Sequence, residues 1–149
     1  MELLQTEIIY DQPSKEHYRV LKSLYSEIFT DADEGFFDQR FREKERFLTL
    51  VAFCKGKPVG FKIGYLYDED TFYSWLGGVL PAFRKMGIAD MLLRKQHALA
   101  KKMGFSRIRA KSMNRFKPMM ILNLRSGFNI TRVYTNATGQ QKIVFEKEL

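Results

Sequence analysis

Three β-prone runs, residues 47–54, 57–67 and 71–80, follow one another with two or three residues between them, and this spacing constrains the chain more than any other feature. The connections Lys55-Gly56 and Asp68-Glu69-Asp70 suit antiparallel hairpins, because a parallel return needs a crossover of about a dozen residues or more. Residues 47–80 therefore read as a three-stranded meander that Pro81 ends.

On either side of the meander the apolar spacing becomes helical. Tyr18, Leu21, Tyr25 and Ile28 recur at intervals of three and four, so residues 14–29 form an amphipathic helix. Ser14 caps it after the turn signal Asp11-Gln12-Pro13, and residues 3–10 ahead of that turn read as a strand. An acidic loop at 31–35 leads to a second helix at 36–45, with Phe37 and Phe41 on its buried side. Beyond Pro81, the stripe Ile88, Leu92, Leu93 and Leu99 marks a helix over 86–103 that Gly104 stops. Residues 106–112 are a strand, 115–126 a helix, and 128–135 and 142–148 strands joined by a turn at 136–139. The order β-α-α-β-β-β-α-β-α-β-β is an α/β (α+β) arrangement, a mixed, mostly antiparallel twisted sheet flanked by helices.

Thirteen Phe, 7 Tyr and 7 Met in 149 residues are enough apolar material for one folded domain over 1–149 and exclude disorder as the main state. The single Cys54 excludes an internal disulfide and any zinc site of several cysteines, and His17 with His97 makes a poor metal set, so no metal is expected. Glu2 stands where a leader peptide wants positive charge, and the longest uncharged run, 71–83, is short of the ~20 residues of a membrane span. A cytoplasmic product without a membrane partner is expected. The net charge of +8 leaves nucleic acid, an anionic membrane surface or a small polyanion open as partners.

The stretch 78–89, GGVLPAFRKMGIA from position 77, runs from a buried strand through a basic turn into a helix. Such a junction gathers unpaired backbone N–H groups at the positive end of the helix dipole, which suits a phosphate, and Gly87 admits close approach to the backbone. It contains neither Gly-Lys-Ser/Thr nor a three-glycine dinucleotide fingerprint.

Arg84-Lys85-Met86-Gly87-Ile88-Ala89 resembles the Gln/Arg-x-x-Gly-x-Gly/Ala signature of the GNAT family of N-acetyltransferases, placed as in that family between the fourth strand and third helix. Residues 118–128, a helix ending in Gly127-Phe128, resemble its second signature, and the element order is similar over essentially the whole chain. The resemblance implies bound acetyl-CoA in a cleft where the fourth and fifth strands splay. Backbone amides across Arg84, Lys85, Met86, Gly87, Ile88 and Ala89 would hold its pyrophosphate, and Val79 with Leu80 would pair with its pantetheine arm. It also implies direct attack by a primary amine of a small molecule or peptide on the thioester.

A backbone N–H near Val79, freed by strand distortion at Gly77-Gly78, is the candidate polarising donor. Where the family carries a proton-donating tyrosine four residues before Gly-Phe, this chain has Asn123, which can hydrogen-bond to the cofactor but cannot act as an acid. Tyr73 and Tyr134 are the candidate substitutes. Glu34, in the loop that lines the acceptor site in the family, is the candidate base, against a plain solvated loop in which Asp33 caps a helix. Arg115 and Lys117 are candidate aids to Arg84 and Lys85 in the field for the cofactor phosphates. Core filling is the expectation for Phe36, Phe37, Tyr65 and Tyr67, and His97 receives no catalytic role. The Asn123 substitution keeps open a CoA-binding module without transfer. Nucleic acid is disfavoured, since no recognition-helix pattern or zinc knuckle occurs, and homodimerisation follows from the family alone.

Overall fold

The first two helices are each started by a side chain that the sequence supplies at that point. Ser14 accepts a hydrogen bond from the His17 N–H at 3.1 Å and starts α1 (Lys15–Ile28). Asp33 does the same for the Phe36 N–H at 3.1 Å, so α2 (Glu34–Glu43) begins two residues ahead of its expected start. The computed structural model describes residues 4–149; Glu2 and Leu3, on which the leader and first-strand readings drew, lie outside the described residues.

The remaining elements are β1 (Leu4–Tyr10), β2 (Leu48–Cys54), β3 (Lys57–Leu66), β4 (Thr71–Val79), α3 (Ile88–Lys102), β5 (Arg107–Ser112), α4 (Lys117–Arg125), β6 (Asn129–Thr135) and β7 (Gln141–Glu148). Their order is the expected one, with an added single-turn 3-10 helix at Pro81–Phe83. Helix α3 starts at Ile88 rather than at 86, because Lys85 (φ 64°) and Gly87 (φ 81°) are left-handed and no right-handed helix continues through them.

The seven strands form one mixed sheet in the order β1-β2-β3-β4-β5-β7-β6. Every neighbouring pair is antiparallel except β4 with β5, which α3 joins as the crossover that a parallel pair requires. Helix α1 packs on one face, where a Cβ on Gly78 would come within 2.8 Å of Ile28 Cγ2. Helix α3 packs on the other, against Gly60 and Val79. Between α1, α2 and the sheet lies an aromatic core in which Phe37 stacks on Tyr25 at 4.9 Å and Phe41 on Phe47 at 4.4 Å. Phe37 is fully buried, and its truncation to alanine is expected to cost about 3–5 kcal/mol.

Candidate functional site

The β4–β5 ladder is only four residues long, from Thr71↔Arg107 to Ser74↔Ala110. The same point breaks the other side of β4: Gly64 pairs with Ser74 and Ile63 with Leu76, so Trp75 is an extra, bulged residue. Past this bulge β4 keeps β3 but has lost β5, and the sheet opens. The distortion expected at Gly77-Gly78 is thus two residues upstream, because those glycines keep regular register with Lys62 and Phe61. Gly78 instead makes room for α1.

Alternation along β4 then decides which backbone groups face the opening. The Leu80 N–H donates to the Val59 carbonyl at 2.8 Å, so residues 80, 78 and 76 direct their groups to β3, and Gly77 and Val79 direct theirs away from it. The Val79 carbonyl accepts from Arg84 Nε at 3.0 Å, while the Val79 N–H stays on the open edge. Leu80 itself bonds to β3.

Seven residues on, Gly87 stands at the N-cap of α3 in the left-handed conformation with no side-chain cap. The first intrahelical bond is Met91 N–H to Gly87 carbonyl, at 3.0 Å, so the amides of Ile88, Ala89 and Asp90 are left without helical partners. A Cβ on Gly87 would meet nothing within 4 Å, so the space in front of these amides is open. Arg84, Lys85 and Met86 are exposed beside them. The open strand edge and the open helix start are successive stops along one path, and together they fit an extended thioester arm followed by a pyrophosphate.

Between α3 and α4 lies a cavity of about 690 Å³, lined by Leu93, Arg94, His97, Leu122, Arg125 and Lys147 among others. His97 is buried, edge-on to Phe128 at 5.3 Å. Asn123 is buried in α4, and its backbone carbonyl accepts from Phe128 N–H at 3.1 Å and from Ser126 Oγ at 2.9 Å.

The sequence-nominated side chains separate clearly. Tyr73 sits by the end of the β4–β5 ladder against Tyr65 (5.4 Å) and Tyr67 (6.1 Å), and burial pushes its hydroxyl pKa well above the usual tyrosine range. Tyr134, on β6, goes the other way: interaction with Lys111 first, then the charges of Lys142 and Arg132, draws its pKa down. Glu34 accepts from Ser26 Oγ at 2.9 Å and lies 3.5 Å from Lys22, while Asp31 pairs with Arg115 at 2.8 Å. The acidic loop is therefore held by its own neighbours, with Asp33 as the helix cap. Lys117 donates to the Asn114 carbonyl at 2.7 Å. Phe37 and Tyr65 fill the core as expected, but Phe36 and Tyr67 are 44% and 50% exposed, because each lies at an edge of the aromatic layer.

Sequence reading missed Lys62. Its register partner is Gly77, and it lies on the α3 face, where burial lowers its pKa to about 8. No carboxylate pairs with it among the described residues. A lysine at the centre of a strand otherwise reading as core was the available signal. Neighbouring polar atoms are also unsatisfied: Gln96 accepts from Ser74 Oγ at 2.9 Å, yet Gln96 Nε2 has no partner. Among the described residues no cluster of three or more His, Cys, Asp or Glu gathers into a metal site, and no helix is long and apolar enough to cross a membrane.

Comparison with known proteins agrees with this geometry. The family model "Acetyltransferase (GNAT) family" matches residues 11–120. The fold is similar to a GNAT family acetyltransferase from Elizabethkingia anophelis with acetyl-CoA bound, at 18% identity, 100% of both chains and a TM-score of 0.79. It is similar to the IAA acetyltransferase from Bacillus cereus ATCC 14579, at 21% identity, 97% of this chain, 100% of that one and a TM-score of 0.80. The PaiA N-acetyltransferase from Thermoplasma acidophilum, in complex with coenzyme A, is 16% identical over 97% of this chain and 99% of that one, with a TM-score of 0.71. No curated protein sequence matches. With the family model spanning most of the chain and the strand opening lying directly before an uncapped glycine-led helix, the chain belongs to the GNAT family of acetyltransferases.

Proposed function

We propose that this protein moves the acetyl group of acetyl-CoA to the primary amine of a small molecule or peptide by direct attack on the thioester. The reading rests on one observation: the freed Val79 N–H and the uncapped amides behind Gly87 lie on consecutive stretches of backbone. Amides at Ile88 and Ala89, with Arg84, Lys85 and Met86 around them, take the pyrophosphate. Gly77 and Val79, rather than Leu80, offer the open edge for the pantetheine arm, and Asn123 on α4 offers an amide to it.

The Val79 N–H polarises the thioester carbonyl, a contribution that strengthens as charge develops on oxygen. The acceptor nitrogen forms its bond to the carbonyl carbon, and the carbon–sulfur bond breaks with its electron pair on sulfur. The proton lost by nitrogen balances the one gained by the thiolate. Tyr134 is the better donor of that proton, since its hydroxyl titrates nearer neutrality than the buried Tyr73. Glu34, tied to Lys22 and Ser26, serves to join α1 to α2 rather than as the base. A reducing cytoplasm suits the unpaired Cys54.

The test is calorimetric titration with CoA, followed by thiol release across a panel of amines. CoA binding with thiol release supports transfer. Binding without release on any amine supports the CoA-binding module, the reading favoured by Asn123 in place of tyrosine. Absence of CoA binding overturns both.

A further inference from the structure

The β5–β7–β6 half of the sheet, beyond the opening, carries an unusual face. Tyr73 and Arg109 are register partners, so Arg109 shares the face on which α1 and α2 pack, and Lys111 follows it two residues on. Lys111 and Arg132 both pair with Val144, which puts them on one face on opposite sides of β7, and Tyr134 pairs with Lys142. The Arg132 guanidinium lies 4.8 Å from the Tyr134 ring centroid and the Lys111 ammonium 5.6 Å. Across the opening, Arg40 of α2 lies over Phe36 at 4.6 Å and Trp75 at 5.1 Å and donates to the Tyr65 hydroxyl.

Carboxylates on this face are few and engaged. Glu146 lies 3.3 Å from Arg109, and Glu148 bonds Arg107 at 3.0 Å. Lys111, Arg132, Lys142 and Arg40 have no ion-pair partner among the described residues. Aromatic rings hold the guanidiniums in place without neutralising them, which leaves their N–H forks available to a planar anion.

We propose that the acceptor amine carries a carboxylate or comparable anionic group, which Lys111, Arg132 and Lys142 hold on the β5–β7–β6 wall while the amine reaches the opening of β4. The inference rests on the transferase reading above and names its substrate class. A second ammonium is repelled by this wall, so polyamines are poor acceptors. The same field favours the neutral form of the amine, which is the nucleophile, and so lessens the demand for a dedicated base.

Amino acids and their decarboxylated counterparts test this directly: phenylalanine and phenethylamine, tyrosine and tyramine, lysine and cadaverine. In at least one pair the carboxylate-bearing amine is expected to show kcat/KM higher by about tenfold, the size of one charge-assisted contact. Lys111→Met with Arg132→Met is expected to collapse that ratio toward one, chiefly through KM, and Arg132→Lys alone to retain most of it. Preference for the decarboxylated amines, or a ratio unmoved in the double variant, overturns the proposal. If no amine releases thiol, the transferase reading fails, and binding decides this one separately. Trp75 is the single tryptophan and lies on this face, so its fluorescence reports N-acetylphenylalanine and N-phenethylacetamide titrated into the CoA-loaded protein. Equal affinities overturn the proposal, and tighter binding of the acid supports it.

Discussion

The Lys147 ammonium donates to Nδ1 of His97 across 3.2 Å, which fixes the imidazole as its neutral Nε2–H tautomer. Burial first, then the charges of Lys147 and Lys62, lower its pKa to about 3. His97 is thus a neutral packing residue at physiological pH, whose Nε2–H has no partner among the described residues.

Acid stability follows from this pair. Between the unfolded value of 6.5 and the folded value of about 3, the unfolded chain binds a proton that the native state refuses. Stability is therefore lost as pH falls through that window, at up to about 1.4 kcal/mol per pH unit from this group. Urea unfolding of wild type and His97→Gln at pH 7, 5 and 4 is expected to show a shallower decline in the variant. Parallel declines would count against the assignment.

Lys62 gives the opposite end of the pH scale. Its folded pKa of about 8 is below the unfolded 10.5, so the buried charge costs stability below pH 8, and that cost fades as pH rises from 8 to 10.5. Lys62→Met is expected to be more stable than wild type at pH 7, by about 2 kcal/mol, with the gap narrowing by pH 10. Guanidinium unfolding at the two pH values measures both effects.

The two tyrosines are expected to behave differently. Tyr134→Phe removes the hydroxyl held in the Lys111, Lys142 and Arg132 field and should lower kcat by about a hundredfold. Tyr73→Phe should leave kcat within about twofold, since a deeply buried hydroxyl gives its proton up poorly. Steady-state thiol release from pH 6 to 9 separates them, and comparable losses in both would refute the assignment.

At Gly87 (φ 81°) any Cβ meets open space but a disfavoured backbone. Gly87→Ala is expected to cost about 1 kcal/mol of stability. Gly87→Asn, which tolerates the left-handed region better, should restore part of that stability yet still weaken CoA binding, because its side chain enters the space before the helix amides. Thermal melts and calorimetric titration of the two variants distinguish the backbone effect from the steric one.

The sequence by itself determined the elements and the basic, glycine-led turn before α3, because both depend on neighbours along the chain. Hairpin length imposed the meander, apolar spacing marked α1 and α3, and Gly87 after Arg84 and Lys85 marked the helix start. The strand opening follows from the family resemblance alone, and the distortion expected at Gly77-Gly78 to free the Val79 N–H lies instead at Trp75. A bulge at Trp75 has no local signature of its own: it is a mismatch between β4 and β3, and it matters because β5 ends its pairing at Ser74. Likewise, Lys62 is one basic residue among 25 in the sequence, and only the packing of α3 over it makes it buried. Arg132 stands two residues before Tyr134 on β6, but Lys142 and the distant Lys111 reach the same ring only through the antiparallel register of β6 with β7 and of β7 with β5. Burial and charge fields are sums over spatial neighbours, so only the tertiary structure decided them, and with them the basic, aromatic character of the β5–β7–β6 face.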